Sequence, residues 1–166
     1  DPESNAICTD SFASLSPAAH GQVIDGEAMQ RRDTFVVPVN DRRYEVGKSV
    51  GLALHGDHEG EVLDHDFPLS DAYAARLYGA LNYMARSLPR QVIDYLVLGL
   101  PLTTYFKHSA ELAKRFTGEH TINIRGDRIR VERCYVYPQP LGGYVQCLSV
   151  DAVSAVKRVP TALIVD

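Results

Sequence analysis

The chain is sparing with cysteine, with positive charge and with long apolar runs, and each shortage removes a class of protein. Cys8, Cys134 and Cys147 are its three cysteines, too few and too widely spaced for a disulfide framework or a zinc ligand set. Two of them lie in apolar stretches and read as buried thiols, and a reducing cytoplasm is the simplest compartment for such usage. No run approaches the roughly 20 consecutive apolar residues of a membrane-spanning helix. No signal peptide is visible, because Asp1-Pro2-Glu3-Ser4-Asn5 is polar and acidic. That opening also lacks Met, which points to a chain processed, or cut from something longer. The net charge of −4 gives no general attraction to nucleic acid or to an anionic membrane. Any DNA contact would need a local basic patch or an adaptor protein. Internal repeats and low-complexity tracts are missing too.

What is present is ordinary for a globular domain: 45% hydrophobic and 23% charged residues over 166 positions. This length fits one domain with a small insertion, and it buries a core without cross-links. Ala6 to Leu15 reads as a short strand, and residues 17–33 as loop. Thr34 to Val39 and Arg43 to Gly47 flank Asn40-Asp41, a hairpin signal, with Pro38 marking an edge position. Residues 47–69 read as a glycine-containing, charged loop. Ser70 is placed to cap a helix whose inward stripe is Tyr73, Leu77, Ala80, Leu81, Met84 and Leu88, stopped by Pro89. Ile93 to Leu100 is a continuous apolar run that fits a strand covered on both faces. A second helix follows from about Thr104, with Tyr105, Leu112, Ala113 and Phe116 inward and Gly118 as its stop. Thr121 to Ile124 and Arg128 to Tyr137 form a second hairpin around Arg125-Gly126-Asp127, entering a central sheet at Cys134. Leu141 to Val156 reads as a helix and Thr161 to Val165 as a closing strand. The order predicts a mixed α/β domain with a small β insertion.

Two strand ends carry chemistry. Val136-Tyr137-Pro138-Gln139-Pro140 places an amide on a proline-flanked turn just after an apolar strand. Leu163-Ile164-Val165-Asp166 ends a buried-type strand on a carboxylate. In α/β sheets, ligands and metal ions gather at the carboxyl ends of strands, so these two ends suggest half of a phosphate-hydrolysing site. For Gln139 the plain alternative is an amide bonding a free backbone group at a helix start. For Asp166 it is simply a polar strand end.

The segment Leu96-Val97-Leu98-Gly99-Leu100-Pro101-Leu102-Thr103-Thr104-Tyr105-Phe106 resembles the strand–Leu-Pro-Leu-Thr–helix segment of the ParM/StbA plasmid-segregation proteins, which are bacterial actin-like ATPases. Val136 to Pro140, with Gly143-Tyr144 after it, is similar to the turn in that family that carries the Glu or Gln positioning the attacking water. Thr161 to Asp166 resembles the strand opening the family's second phosphate loop, and Ser11-Phe12 through Ser16-Pro17 its third strand. The resemblance implies a ribonuclease-H-like α/β fold of actin type. Residues 1–30 would start subdomain Ia, 31–69 would form the Ib-like insertion, and 70–166 the remainder of domain I. It implies ATP, or GTP in its place, bound with Mg²⁺ in a cleft between two domains, with Gln139 catalytic and Asp166 at the nucleotide and metal through a water. It implies self-association into filaments, a DNA-bound adaptor of the ParR type and a bacterial cytoplasmic setting. Neither direct nucleic-acid binding nor a membrane belongs to that picture. The family's first phosphate loop is expected before Asp1 and the rest of its second after Asp166, so the isolated chain is expected to hydrolyse little or no ATP. The competing reading is a non-catalytic actin-like assembly or scaffold module.

Other motifs take plainer readings. His55-Gly56-Asp57-His58-Glu59-Gly60-Glu61 with Asp64-His65-Asp66 could bind a divalent ion, but its spacing matches no defined site and a solvated acidic loop explains it. Arg125-Gly126-Asp127 is explained by a turn. The pairs Arg31-Arg32 and Arg42-Arg43 read as surface. Tyr73, Tyr78 and Tyr83 read as core and rim, because they lack the basic surroundings of a base-stacking platform.

Overall fold

Residues 9–19, 33–53 and 66–142 are described by the computed structural model, and they gather into two units. The first holds residues 9–19, 33–53, 71–88 and 121–128, and the second holds 66–70, 89–120 and 129–142.

The first unit is built on a hairpin. Strand β1 (Thr34–Val39) and strand β2 (Arg42–Gly47) are antiparallel, with Val39 opposite Arg42 across the turn Asn40-Asp41. Asn40 takes φ 51, the left-handed conformation that Asn tolerates at tight turns. Alternate residues of an antiparallel strand point their backbone groups outward. On β2 these are used by the chain before the hairpin: Ala19 N donates to Arg43 O (2.8 Å), and Glu45 N donates to Pro17 O (2.9 Å). On β1, Val36 O accepts from Ile124 N (3.0 Å). Pro38 is the next outward position, where its missing N–H costs nothing.

Helix α1 (Asp71–Ala85) packs on this hairpin. Its buried face is Ala72, Ala75, Gly79 and Asn82, with Ala74 and Leu81 beside them. This differs from the expected stripe: Tyr73, Leu77 and Ala80 are half-buried and Met84 is exposed. The reason is closeness. A Cβ on Gly79 would lie 2.7 Å from Val46 Cγ2, so small residues let the helix sit against β2 where large ones would hold it off. Asn82 is buried and fully engaged: its Nδ2 donates to Tyr78 O and Ile122 O, and its Oδ1 accepts from Asn123 Nδ2 (2.8 Å). Asn123 organises the turn at 123–127. Its Nδ2 also donates to Asp127 Oδ2 (2.9 Å), and its Oδ1 accepts from Arg125 N (3.0 Å) and Asp127 N (3.3 Å). The Arg125-Gly126-Asp127 tripeptide is therefore a turn held by a side-chain amide. Tyr83 closes the far end, its hydroxyl donating to Asp33 O and accepting from Lys48 N, both at 2.9 Å.

The second unit contains strand β3 (Val92–Leu100) and helix α2 (Leu102–Arg115). Strand β4 (Gly118–Thr121) and strand β5 (Arg128–Pro138) complete a sheet ordered β3-β5-β4. β3 and β5 are parallel, in register from Val92 opposite Arg130 to Leu100 opposite Pro138. Leu96, Leu98, Leu100, Cys134 and Val136 are buried on one face, and α2, which buries Thr104, His108 and Leu112, packs against β3. The α2 C-terminus is tied by Arg115 Nη1 donating to Leu69 O (2.6 Å), at the end of the single-turn helix Phe67–Leu69.

Several expectations are corrected. Residues 9–15 form no strand; the pairing begins later, at an isolated bridge between Ala18 and Tyr44. α1 ends at Ala85, ahead of Pro89, with Ser87 N bonded to Met84 O. β3 is not covered on both faces, since Tyr95 and Val97 are 63% and 60% exposed. β4 lies at Gly118–Thr121, earlier than expected, because Asn123 draws the following residues into its turn. Within 47–69, Val50–Ala53 and Phe67–Leu69 are short helical turns. The expected helix 141–156 lies outside the described residues beyond residue 142, and the expected strand 161–165 lies outside them entirely.

Two stability experiments follow from this packing. Gly79→Ala gains about 1 kcal/mol of helix propensity but meets Val46, an overpacking cost of roughly 1–3 kcal/mol. Urea melts should show a net loss of about 1 kcal/mol for it, and about 3 kcal/mol for Asn82→Ala, which strips partners from Ile122 O and Asn123. The second experiment concerns pH. Burial lowers the His120 pKa from its usual 6.5, so the unfolded chain binds its proton first as pH falls. Stability is full above the unfolded value and declines below it. Melting temperatures between pH 7 and pH 5 should fall less steeply for His120→Gln than for the unmodified chain.

Candidate functional site

The carboxyl ends of β3 and β5 lie side by side because the parallel ladder runs to its last rung, Leu100 opposite Pro138. Gln139 is the first residue past β5 and opens a helical turn, 139–142. Its side chain folds back over the neighbouring strand: a Cβ on Gly99 would lie 3.0 Å from Gln139 Cγ and 3.9 Å from its Cα. The Gln139 stem thus takes up space left by the lack of a side chain at Gly99, and the residue stands exposed at the strand ends.

Beneath this pair runs a column of aromatic rings. Tyr95, Val97 and Gly99 alternate along β3, and Tyr135 and Tyr137 along β5, on the face opposite the buried leucines. Tyr95 and Tyr135 stack at 6.2 Å and Tyr135 and Tyr137 at 6.4 Å, with the Arg133 guanidinium 5.9 Å from the Tyr95 ring. At the same end of the sheet, α2 follows β3 directly, with Pro101 as its N-cap residue. Pro101 O accepts from Thr104 Oγ1 (3.0 Å), Thr104 N (3.1 Å) and Tyr105 N (2.8 Å). The first turn of α2 therefore closes on Pro101, the residue directly after β3.

Of the expected site residues, the structure places Gln139 at the carboxyl ends of two parallel strands. Asp166 lies outside the described residues. So does the tract from His55 to His65; its last member, Asp66, is paired with Lys107 Nζ at 2.7 Å and lies 3.0 Å from His108 Nε2. The Lys107 ammonium, first, and then His108 hold the Asp66 carboxyl below its usual pKa. Among the described residues, no group of three or more His, Cys, Asp or Glu comes together to hold a metal ion. The residue that sequence reasoning passed over is Gly99. An isolated glycine inside a strand signals a close approach, and that signal was readable.

A family model for the N-terminal domain of actin-like proteins matches residues 4–142. The chain belongs to this actin-like family. The α/β actin-type fold expected from the sequence is the one found. Among solved structures, the actin-like domain is similar to the crystal structure of the actin-like protein Alp7A, at 14% identity over 77% of this chain, with a TM-score of 0.49. It spans 38% of the length of that protein. No curated protein matches it. No helix among the described residues is long and apolar enough to cross a membrane.

Cys134, on the buried face below the site, has its thiol pushed up to about 11 by burial. At pH 8 its thiolate should be on the order of 10²-fold scarcer than that of a free cysteine. Alkylation by iodoacetamide, read peptide by peptide in a mass spectrometer, should be slower at Cys134 by that factor in the folded chain than in urea. Equal rates would show that the thiol is open to solvent.

Proposed function

We propose that the chain is the first domain of a filament-forming actin-like ATPase of the plasmid-partition type, related to ParM/StbA, and supplies half of a cleft for ATP and Mg²⁺. The observation that carries this reading is the actin-like match over residues 4–142 together with Gln139 standing at the ends of two parallel strands. The Leu100-Pro101-Leu102-Thr103 and Tyr137-Pro138-Gln139-Pro140 segments supply the finer likeness. The subdomain boundaries 1–30, 31–69 and 70–166 belong to the same proposal.

Phosphoryl transfer asks the protein chiefly to place a nucleophile and to offset phosphate charge. Bound ATP with Mg²⁺ would supply the anhydride bond and the cation. The part of this chain is then to hold a water. The Gln139 amide oxygen accepts one hydrogen of that water and fixes its lone pair in line with the phosphate. The amide does not take the proton, being a poor base. An exposed Gln139 whose stem lies over Gly99 fits this role, as does the strand-end position. Asp166 is assigned to the metal through a water, a usual arrangement for Mg²⁺ with few carboxylates. Self-association into filaments, a DNA-bound adaptor and a bacterial cytoplasmic setting complete the proposal, with GTP as the alternative to ATP.

The test uses the full-length protein. Gln139→Ala should lower kcat for ATP hydrolysis roughly 10²-fold, the scale for losing one placed hydrogen bond at a reacting centre, while ATP binding stays within about twofold. An unchanged kcat would remove Gln139 from the mechanism. A full-length protein that pellets as filaments yet neither binds nor hydrolyses nucleotide would be a non-catalytic assembly module.

A further inference from the structure

We infer that Gly99 is a positioning residue for the Gln139 amide, and that its lack of a side chain sets where that amide stands. The inference rests on the water-placing role proposed for Gln139.

Gly99 has no conformational reason to be glycine. Among the described glycines, left-handed φ values occur at Gly47, Gly118 and Gly126, and Gly99 is not one of them. It lies inside β3, paired with Tyr137 in an unbroken register. There glycine weakens a strand and a side-chain-bearing residue strengthens it. Its neighbours on the same face, Tyr95 and Val97, are large. Space is therefore withheld at one position of the column, and the Gln139 side chain fills it, with its Cγ 3.0 Å from where a Cβ would stand. Real Cβ atoms seldom come so close. A methyl group at 99 must push the Gln139 stem aside by a few tenths of an ångström or into another rotamer. Displacement on that scale matters at a reacting centre, where about 1 Å of misplacement can cost 10²-fold in rate.

The test is a double-mutant cycle in the full-length protein, read by steady-state ATP hydrolysis and by melting temperature. Gly99→Ala should lower kcat about tenfold, with KM for ATP within about twofold and a melting temperature no lower than that of the unmodified protein. A merely structural glycine would not separate these readouts. With Gln139→Ala already present, adding Gly99→Ala should cost nothing further, because the two residues act through one amide. The inference is overturned if Gly99→Ala hydrolyses ATP at the normal rate while Gln139→Ala does not, or if the two losses multiply. If Gln139→Ala is itself fully active, the water-placing role has failed. A crystal structure of Gly99→Ala then decides the geometric claim: a shifted Gln139 side chain upholds it, and an unmoved one ends it.

Discussion

The parallel pairing of β3 with β5 is the constraint on which the candidate site depends. Side chains alternate along a strand, so a slip of one residue would exchange the two faces of the ladder. Leu96, Leu98 and Leu100 on β3 and Cys134 and Val136 on β5 are buried on the α2 side, and exposing them would forfeit much of the unit's apolar burial, at roughly 25 cal/mol per Å². The core thereby fixes the register, the register brings Gly99 opposite Tyr137, and Gln139 emerges one step beyond. A polar site with few contacts of its own inherits its accuracy from hydrophobic packing one layer below.

The same device, a missing side chain, serves both units for different ends. At Gly79 the vacancy lets a helix close on a hairpin, and what fills it is Val46. At Gly99 the vacancy is filled by an exposed amide stem. The first is a matter of core density; the second lies at the surface, where packing density makes no comparable demand. Asn82 shows a third kind of economy. One buried amide joins α1 to Ile122 and Asn123, and through Asn123 to the turn that carries Gly126. Polar groups buried this way hold a single arrangement, because any alternative leaves donors without acceptors.

Much of this architecture was legible in the sequence. The hairpin at Asn40-Asp41, strand β3 up to Pro101, the second helix and the long strand ending at Pro138 all announced themselves through turn chemistry and apolar runs. The inward face of α1 did not. Weighing large apolar residues favoured Tyr73, Leu77 and Met84, whereas close approach selected alanine, glycine and a buried asparagine. Burial on both faces of β3 was inferred from an unbroken apolar run, but Tyr95 and Val97 show that such a run can leave one side open. At the strand ends, the place of Gln139 could be read from its neighbours in sequence. Its contact with Gly99, 40 positions away, could not, since only the ladder register brings them together.

The tyrosine column has one more consequence. The chain contains no tryptophan and nine tyrosines, so tyrosine dominates its ultraviolet emission. Three of those rings, Tyr95, Tyr135 and Tyr137, stack in sequence up to the strand ends, close enough to pass excitation from one to the next. The chain thus carries its own optical reporter beside Gln139: a group settling against those strand ends changes the quenching of the nearest ring, and the signal needs no attached dye.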